Sequence, residues 1–177
     1  EAGAAGEGTV RSPGDERAYT PCFLARYVAG KIGLEQLALR GDDFYEEHGV
    51  ELRTGAAATS VDVEDRAVVL ADGSRVHYDR LLLACGAEPV VPDIPGIDGP
   101  GVAAFKSFSD ATEILALARG ARDAVVLGSG FVAVEIAEAL VEAGVGVTLL
   151  ARKDRILRRI FDAEVAGQVV QALAAQG

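Results

Sequence analysis

The chain has 177 residues, 50% of them hydrophobic, and a formal net charge of −10. It is long enough for one domain or two small ones around a buried core, and its acidity argues against a nucleic-acid backbone as partner, which would require Lys and Arg to neutralise phosphates. No apolar run of about 18 residues and no charged leader before an apolar stretch is present, so the sequence predicts neither a membrane span nor a secretory signal and points to the cytoplasm.

Two cysteines, Cys22 and Cys85, are too few and too far apart for a disulfide framework or a zinc-ligand pattern, so no metal site is expected. The absence of Met and the opening on Glu1 lead us to expect a fragment of a longer protein.

In chain order, Thr9–Arg11 is weakly strand-like and "SPGDERAYTPC" follows as a loop rich in turn residues. One helical stretch is expected from about Leu34 to His48. Short strands follow: "VELR", "ATSVDVE" and "AVVLADGSRVHY", the last with Asp72-Gly73 as a hairpin turn. The apolar run "RLLLAC" reads as a strand buried on both faces. "VPDIPGIDGPG", dense in Pro and Gly, reads as a connector. "DATEILALARG" is helical, with Asp110 as a first-turn acid and Gly120 as its stop. The final "AEVAGQVVQALAAQG" is again helical. His48 and His77 are expected at a helix end and on a hairpin strand, without a catalytic role.

The segment Ala124–Leu157 carries the most chemistry. "AVVLGSG" is an apolar strand that enters Gly128-Ser129-Gly130, and the helix beginning at Phe131 and Val132 follows directly. Gly128 permits the tight turn, Gly130 allows the backbone to approach a pyrophosphate, and the helix N-terminus favours the anion. Ala133 takes the third small position, where the helix packs on the strand. Val132, Ile136, Ala139, Leu140 and Ala143 are expected along one buried face.

Units of this kind that select NAD place an acid about 20 residues further on, where it bonds the ribose 2′-hydroxyl and repels a 2′-phosphate. Here "VTLLARKDRILRR" offers Ala151 as space and Arg152, Lys153 and Arg158 as cations. These either grip a 2′-phosphate, which favours NADPH over NADH, or form a solvated basic face.

"YDRLLLACGAEPVVPDIPG" resembles the second flavin motif of the FAD-dependent pyridine nucleotide-disulfide oxidoreductase superfamily, and "GSGFVAVEIAEAL" resembles its NAD(P) motif, including Glu135. "ARKDRILRRIFD" is similar to the NADPH-dependent glutathione reductase branch. The likeness runs from about Gly8 to Gly177, with Cys85 standing where the family usually has Thr. It implies an α/β fold of Rossmann-like dinucleotide-binding domains: a partial FAD domain with a small β-rich insertion over 1–104, then an NAD(P) domain over 105–177.

The implied cofactors are FAD and NADPH (or NADH), with hydride passing from nicotinamide to flavin. Pro21, Ala58, Ala84, Cys85 and Gly86 are the implied flavin-binding residues. The family's first glycine fingerprint is missing, and "EAGAAGEGTV" resembles the end of the helix that follows it. The implied acceptor is a small molecule or a small redox protein, and the parent enzyme is implied to be a homodimer. A nucleotide-binding fragment without turnover and an electron-transfer subunit of a larger complex stay open as alternatives.

"AYTPCFLARYVAG" resembles the family's flavin-facing segment in two ways. The coenzyme A disulfide reductase and NADH oxidase branch would make Cys22 a redox cysteine, although Ala18 and Phe23 depart from that branch's Ser and Gly. The ferredoxin reductase and nitrite reductase branch would instead put Arg26 beside the flavin, paired with Glu135 between the two rings, and would leave Cys22 to packing.

Overall fold

The computed structural model describes residues 8–41 and 43–176. The elements run β1 (Gly8–Arg11), α1 (Leu24–Val28), α2 (Leu34–Leu37), α3 (Phe44–Glu47), β2 (Val50–Arg53), β3 (Ala58–Asp62), β4 (Ala67–Leu70) and β5 (Arg75–His77). They continue with α4 (Phe108–Ala118), β6 (Asp123–Leu127), α5 (Phe131–Glu142), β7 (Gly146–Leu150) and α6 (Ala163–Ala174). A single 3-10 turn, Pro21–Phe23, precedes α1. The helix end expected at the start of the chain falls largely on residues 1–7, outside the described residues.

Two compact units result. The first comprises the residues up to Tyr19 together with Ala38–Ala87, and the second Thr20–Leu37 together with the residues from Glu88 onward.

In the first unit β1 pairs in parallel with β2, from Gly8 opposite Val50 to Arg11 opposite Arg53. In the same unit β3, β4 and β5 form a separate antiparallel meander. Its β4–β5 hairpin turns at Asp72-Gly73 as the sequence predicts: Gly73 takes a left-handed φ of 83°, and the Asp72 carboxylate accepts from the Ser74 amide at 2.9 Å. Ala67 and Leu70, at the two ends of β4, are the buried residues of this sheet.

Two expectations are corrected here. The helix predicted over 34–48 is two four-residue helices, because Ala38 and Leu39 turn aside to bond Ala18 and Tyr19. Tyr19 and Ala38 form an antiparallel bridge, and the Leu39 amide donates to the Ala18 carbonyl at 2.9 Å. The run "RLLLAC" is not a buried strand. Residues 80–85 pair with no strand among the described residues, and Leu82 and Leu83 are 86% and 66% exposed. A strand buried on both faces needs ladder partners at both edges, and apolarity alone does not supply them.

The second unit is a β–α–β arrangement. β6 and β7 pair in parallel, Asp123 opposite Gly146 through Leu127 opposite Leu150, and α5 connects them and packs against both. α5 ends in a glycine cap: the Gly144 amide donates to Val141 and the Val145 amide to Leu140, with Gly144 at φ 86°. α4 starts on a capping box in which Ser107 and Asp110 bond each other's amides, and Gly120 lies just past its C-cap, Arg119.

Segment 20–37 belongs to this unit because α1 packs on α4 and α5. Leu24 and Val28 are 2% and 1% exposed, each burial stabilising by roughly 1.5–3 kcal/mol. The Tyr27 and Phe108 rings lie 5.6 Å apart, and Lys31 pairs with Glu142 at the end of α5.

Candidate nicotinamide dinucleotide site

Gly128 extends the β6–β7 ladder by one bond, its amide donating to the Leu150 carbonyl at 3.0 Å. Its φ is 156°, and a Cβ built on it would lie 2.8 Å from the Ala133 Cβ. Strand end and helix therefore approach as closely as two small residues allow, which accounts for Gly128 and Ala133 together. This contact also fixes the phase of α5. The face turned inward comprises Ile136, Ala137, Ala139 and Leu140, with Ala133 half-buried. Val132 and Ala143, expected on the buried face, are exposed. Val132 shares the helical phase of Ile136 and Ala139 but stands in the first turn of α5, where it is 53% exposed.

Gly130 differs from Gly128. It is the N-cap of α5 with φ −91° and ψ −179° and gives no side-chain cap, and a Cβ there would meet nothing within 4 Å. Neither internal packing nor backbone geometry demands a glycine at this position. The absent side chain leaves an open surface against the first-turn amides of α5, which no acidic residue shares. Uncapped amides and a positive dipole end make this a receptive place for a phosphate group.

The chain beyond β7 returns to the same turn. The Leu157 amide donates to the Ser129 carbonyl at 2.7 Å, so the loop from Ala151 to Ile156 begins and ends on the glycine turn. Arg152, Lys153 and Arg158 are exposed, and Ala151 is partly covered. Sequence reasoning missed two residues here. Leu157 is 5% exposed and left-handed at φ 50°, which no residue-type signal announces. The Arg155 Nε is buried without a hydrogen-bond partner; the run "RKDRILRR" shows many cations but not which one turns inward. A nicotinamide dinucleotide thus fits the residues present: an open cradle at Gly130, uncapped amides, and cations on a loop tied to that cradle.

The remaining predicted residues are more dispersed. Pro21 and Cys22 are exposed in the 3-10 turn, and Arg26 is exposed on α1 with its guanidinium carbon 5.4 Å from the Phe23 ring centroid. Glu135 is exposed on α5. Arg26 and Glu135 are not joined in an ion pair; the ion pair between α1's segment and α5 is Lys31–Glu142. Ala58 opens β3, and Ala84, Cys85 and Gly86 lie in an exposed irregular stretch. Gly86 is left-handed at φ 71° with open space where a Cβ would stand, so its backbone is accessible to a group laid against it. His48 bonds back to the Phe44 carbonyl through Nδ1 at 2.8 Å and His77 lies on β5, as the sequence predicts. No cluster of metal-ligating side chains occurs among the described residues, and none of their helices is long and apolar enough to cross a membrane.

Comparison with known proteins bears on the whole chain. The pyridine nucleotide-disulphide oxidoreductase family profile matches residues 2–177. The epsilon subunit of an NADH-dependent phenylglyoxylate dehydrogenase from Aromatoleum evansii is 37% identical over 159 residues, which cover 90% of this chain and 38% of that protein. Among solved structures, the water-forming NADH oxidase of Lactobacillus brevis bound to NADH superposes with a TM-score of 0.85 at 27% identity, covering 96% of this chain and 39% of that one. A five-substitution mutant of the same oxidase, engineered as an NADPH oxidase and bound to NADPH, gives a TM-score of 0.86 at 29% identity, covering 97% and 39%. The chain spans well under half the length of these relatives. With the β–α–β unit, the glycine turn and the flavin-type segment all matched over their full extent, the chain belongs to the FAD-dependent pyridine nucleotide-disulphide oxidoreductase family, with its Rossmann-like α/β fold.

Proposed function

We propose that this chain is the pyridine-nucleotide-binding part of an FAD-dependent NAD(P)H oxidoreductase and that it selects NADPH. Residues 1–104 would then contribute to the FAD domain and 105–177 form the nicotinamide domain. The observation that carries the selectivity is the set of small and basic residues around the glycine turn. In the engineered oxidase the substitutions replace a glycine by alanine and, eighteen residues later, an aspartate by alanine. The two residues after that aspartate become arginine and serine, and a proline seven residues beyond it becomes arginine. Ala133, Ala151, Arg152 and Arg158 stand at those intervals here, with Lys153 in the remaining place. This chain thus carries as its own residues four of the five changes that accompany NADPH binding in the engineered enzyme.

The protein's part in the chemistry is binding and orientation. Gly130 and the first amides of α5 receive the pyrophosphate, and Arg152, Lys153 and Arg158 receive the 2′-phosphate. Ala151 removes the carboxylate that would repel it. When bound, the nicotinamide supplies a hydride that the flavin accepts. Glu135 and Arg26 are assigned to orienting the rings on the strength of the family motif.

The acceptor is a small molecule or a small redox protein. We favour the ferredoxin and nitrite reductase-like reading, in which Arg26 matters and Cys22 has no redox role; its exposure in the 3-10 turn corrects the packing role expected for it. That the Aromatoleum relative is one subunit of a dehydrogenase supports an electron-transfer subunit of a larger complex as the second reading. A cytoplasmic location and a homodimeric parent enzyme complete the proposal. Flavin absorbance of the purified full-length parent protein, followed by anaerobic addition of NADPH, tests it. Bound flavin bleached by NADPH is expected; a protein that binds NADPH yet holds no flavin would favour a nucleotide-binding module without turnover.

A further inference from the structure

We propose that Leu157 is a positioning residue for cofactor selectivity: it clamps the cation-bearing loop to the phosphate-binding turn. This rests on the NADPH reading above. The loop Ala151–Ile156 is held at both ends by consecutive residues of the glycine turn, the Gly128 amide donating to Leu150 at 3.0 Å and the Ser129 carbonyl accepting from Leu157 at 2.7 Å. The second tie requires Leu157 to adopt φ 50°, a left-handed conformation that a residue with a Cβ adopts at an energetic cost.

What holds it there is burial. Leu157 and its neighbour Ile156 are each 5% exposed, in a stretch whose flanking residues Asp154 and Arg158 are exposed. The Leu157 carbonyl also accepts from the Ile160 and Phe161 amides at 2.9 and 3.0 Å, so the strained residue is fixed from both sides. Strain maintained by burial at a ligand-facing loop is a recurrent means of pre-organising a site.

The consequence is a fixed spacing between the two anion sites. Pyrophosphate binding needs only Gly130 and the α5 amides, which both nicotinamide cofactors use. Recognition of the 2′-phosphate needs Arg152 and Lys153 inside the loop and Arg158 immediately after the clamp. Loosening the clamp therefore weakens NADPH far more than NADH, whereas a residue that merely stabilised the domain would affect both alike.

The test is calorimetric titration of the chain, of Leu157→Ala, and of Leu157→Gly with NADPH and NADH. Leu157→Gly is comfortable at positive φ and keeps the amide, losing the apolar anchor and adding backbone freedom, so it carries the comparison if the alanine variant does not fold. We expect NADPH affinity to fall about tenfold or more and NADH affinity less than about twofold, with Leu157→Met close to the parent chain. An unchanged NADPH-to-NADH ratio in the folded variants overturns the clamp. A parent chain with no preference for NADPH overturns the reading beneath it, and the clamp's role in selectivity with it; the two failures are distinguished by which protein shows them.

Discussion

The two outer glycines of the turn demand different things of a substituted side chain. At Gly130 a Cβ meets open space and the backbone is extended, so Gly130→Val should cost at most about 1 kcal/mol, as a poorer N-cap residue, and reduce affinity for both cofactors by about fifty-fold or more, because the branched side chain occupies the phosphate cradle. At Gly128, Ala meets the Ala133 Cβ at 2.8 Å, and Gly128→Ala should instead destabilise the domain by roughly 1–3 kcal/mol, visible by denaturant unfolding without any ligand. If both variants lose binding and stability together, the distinction between a structural and a ligand-facing glycine fails. At the ribose end, Arg152→Ala should weaken NADPH by about tenfold through loss of a charge-assisted contact and leave NADH unchanged. Ala151→Glu should reverse the preference, restoring a 2′-hydroxyl acceptor and rejecting the phosphate. The pattern Gly-Ser-Gly after an apolar strand made these positions legible in the sequence. Leu157 was not, since a left-handed leucine is selected by what surrounds it rather than by its own preference.

At the scale of elements, local chemistry decided how much could be read. Asp72-Gly73 and the first-turn acid Asp110 are signals that act within a few residues, and hairpin and helix start appear where those signals stand; the Gly144 cap of α5, seen in the structure, acts over the same short range. Gly144→Ala should therefore cost about 1 kcal/mol by forcing a side chain into the left-handed cap, measurable as a lowered midpoint. The unpaired run at 80–85 and the divided helix at 34–48 depended on partners distant in sequence, which periodicity does not report. The β3–β5 meander carries a pH signature. Arg75 bonds the Asp62 and Asp65 carboxylates at 2.8 and 2.9 Å, and the guanidinium's hydrogen bond is the main reason Asp62 is held below its ordinary value. A carboxyl with a lowered folded-state pKa stabilises fully at neutral pH and loses that contribution as acid protonates it. Arg75→Ala should thus make the midpoint less sensitive to pH on the acid side of the ordinary Asp range, by a small amount because the pair is exposed. A pH profile identical to that of the parent chain would remove the pair from the account.

For the molecule as a whole, the second unit joins two stretches far apart in sequence: the segment that holds Cys22 in its 3-10 turn and Arg26 on α1 lies on α4 and α5, with Leu24 and Val28 buried and Lys31 paired to Glu142. The segment that resembles the family's flavin-facing stretch is therefore built onto the unit that carries the glycine turn, an arrangement that motif order along the chain does not disclose. Within that unit the glycine turn and the Ala151–Ile156 loop are tied by two hydrogen bonds to adjacent residues, Gly128 and Ser129; on the proposed reading, cofactor choice would follow from that fixed geometry rather than from surface charge in general. A chain with a net charge of −10 repels a polyanion at long range, and tighter binding of the more highly charged cofactor would have to arise locally. The most direct measurement is the ratio of dissociation constants for NADPH and NADH, with adenosine 2′,5′-bisphosphate and AMP as the corresponding half-molecules. Tighter binding of NADPH by about tenfold or more, matched by the half-molecules and diminishing as salt is raised, is the predicted result; equal binding of the two cofactors would contradict it.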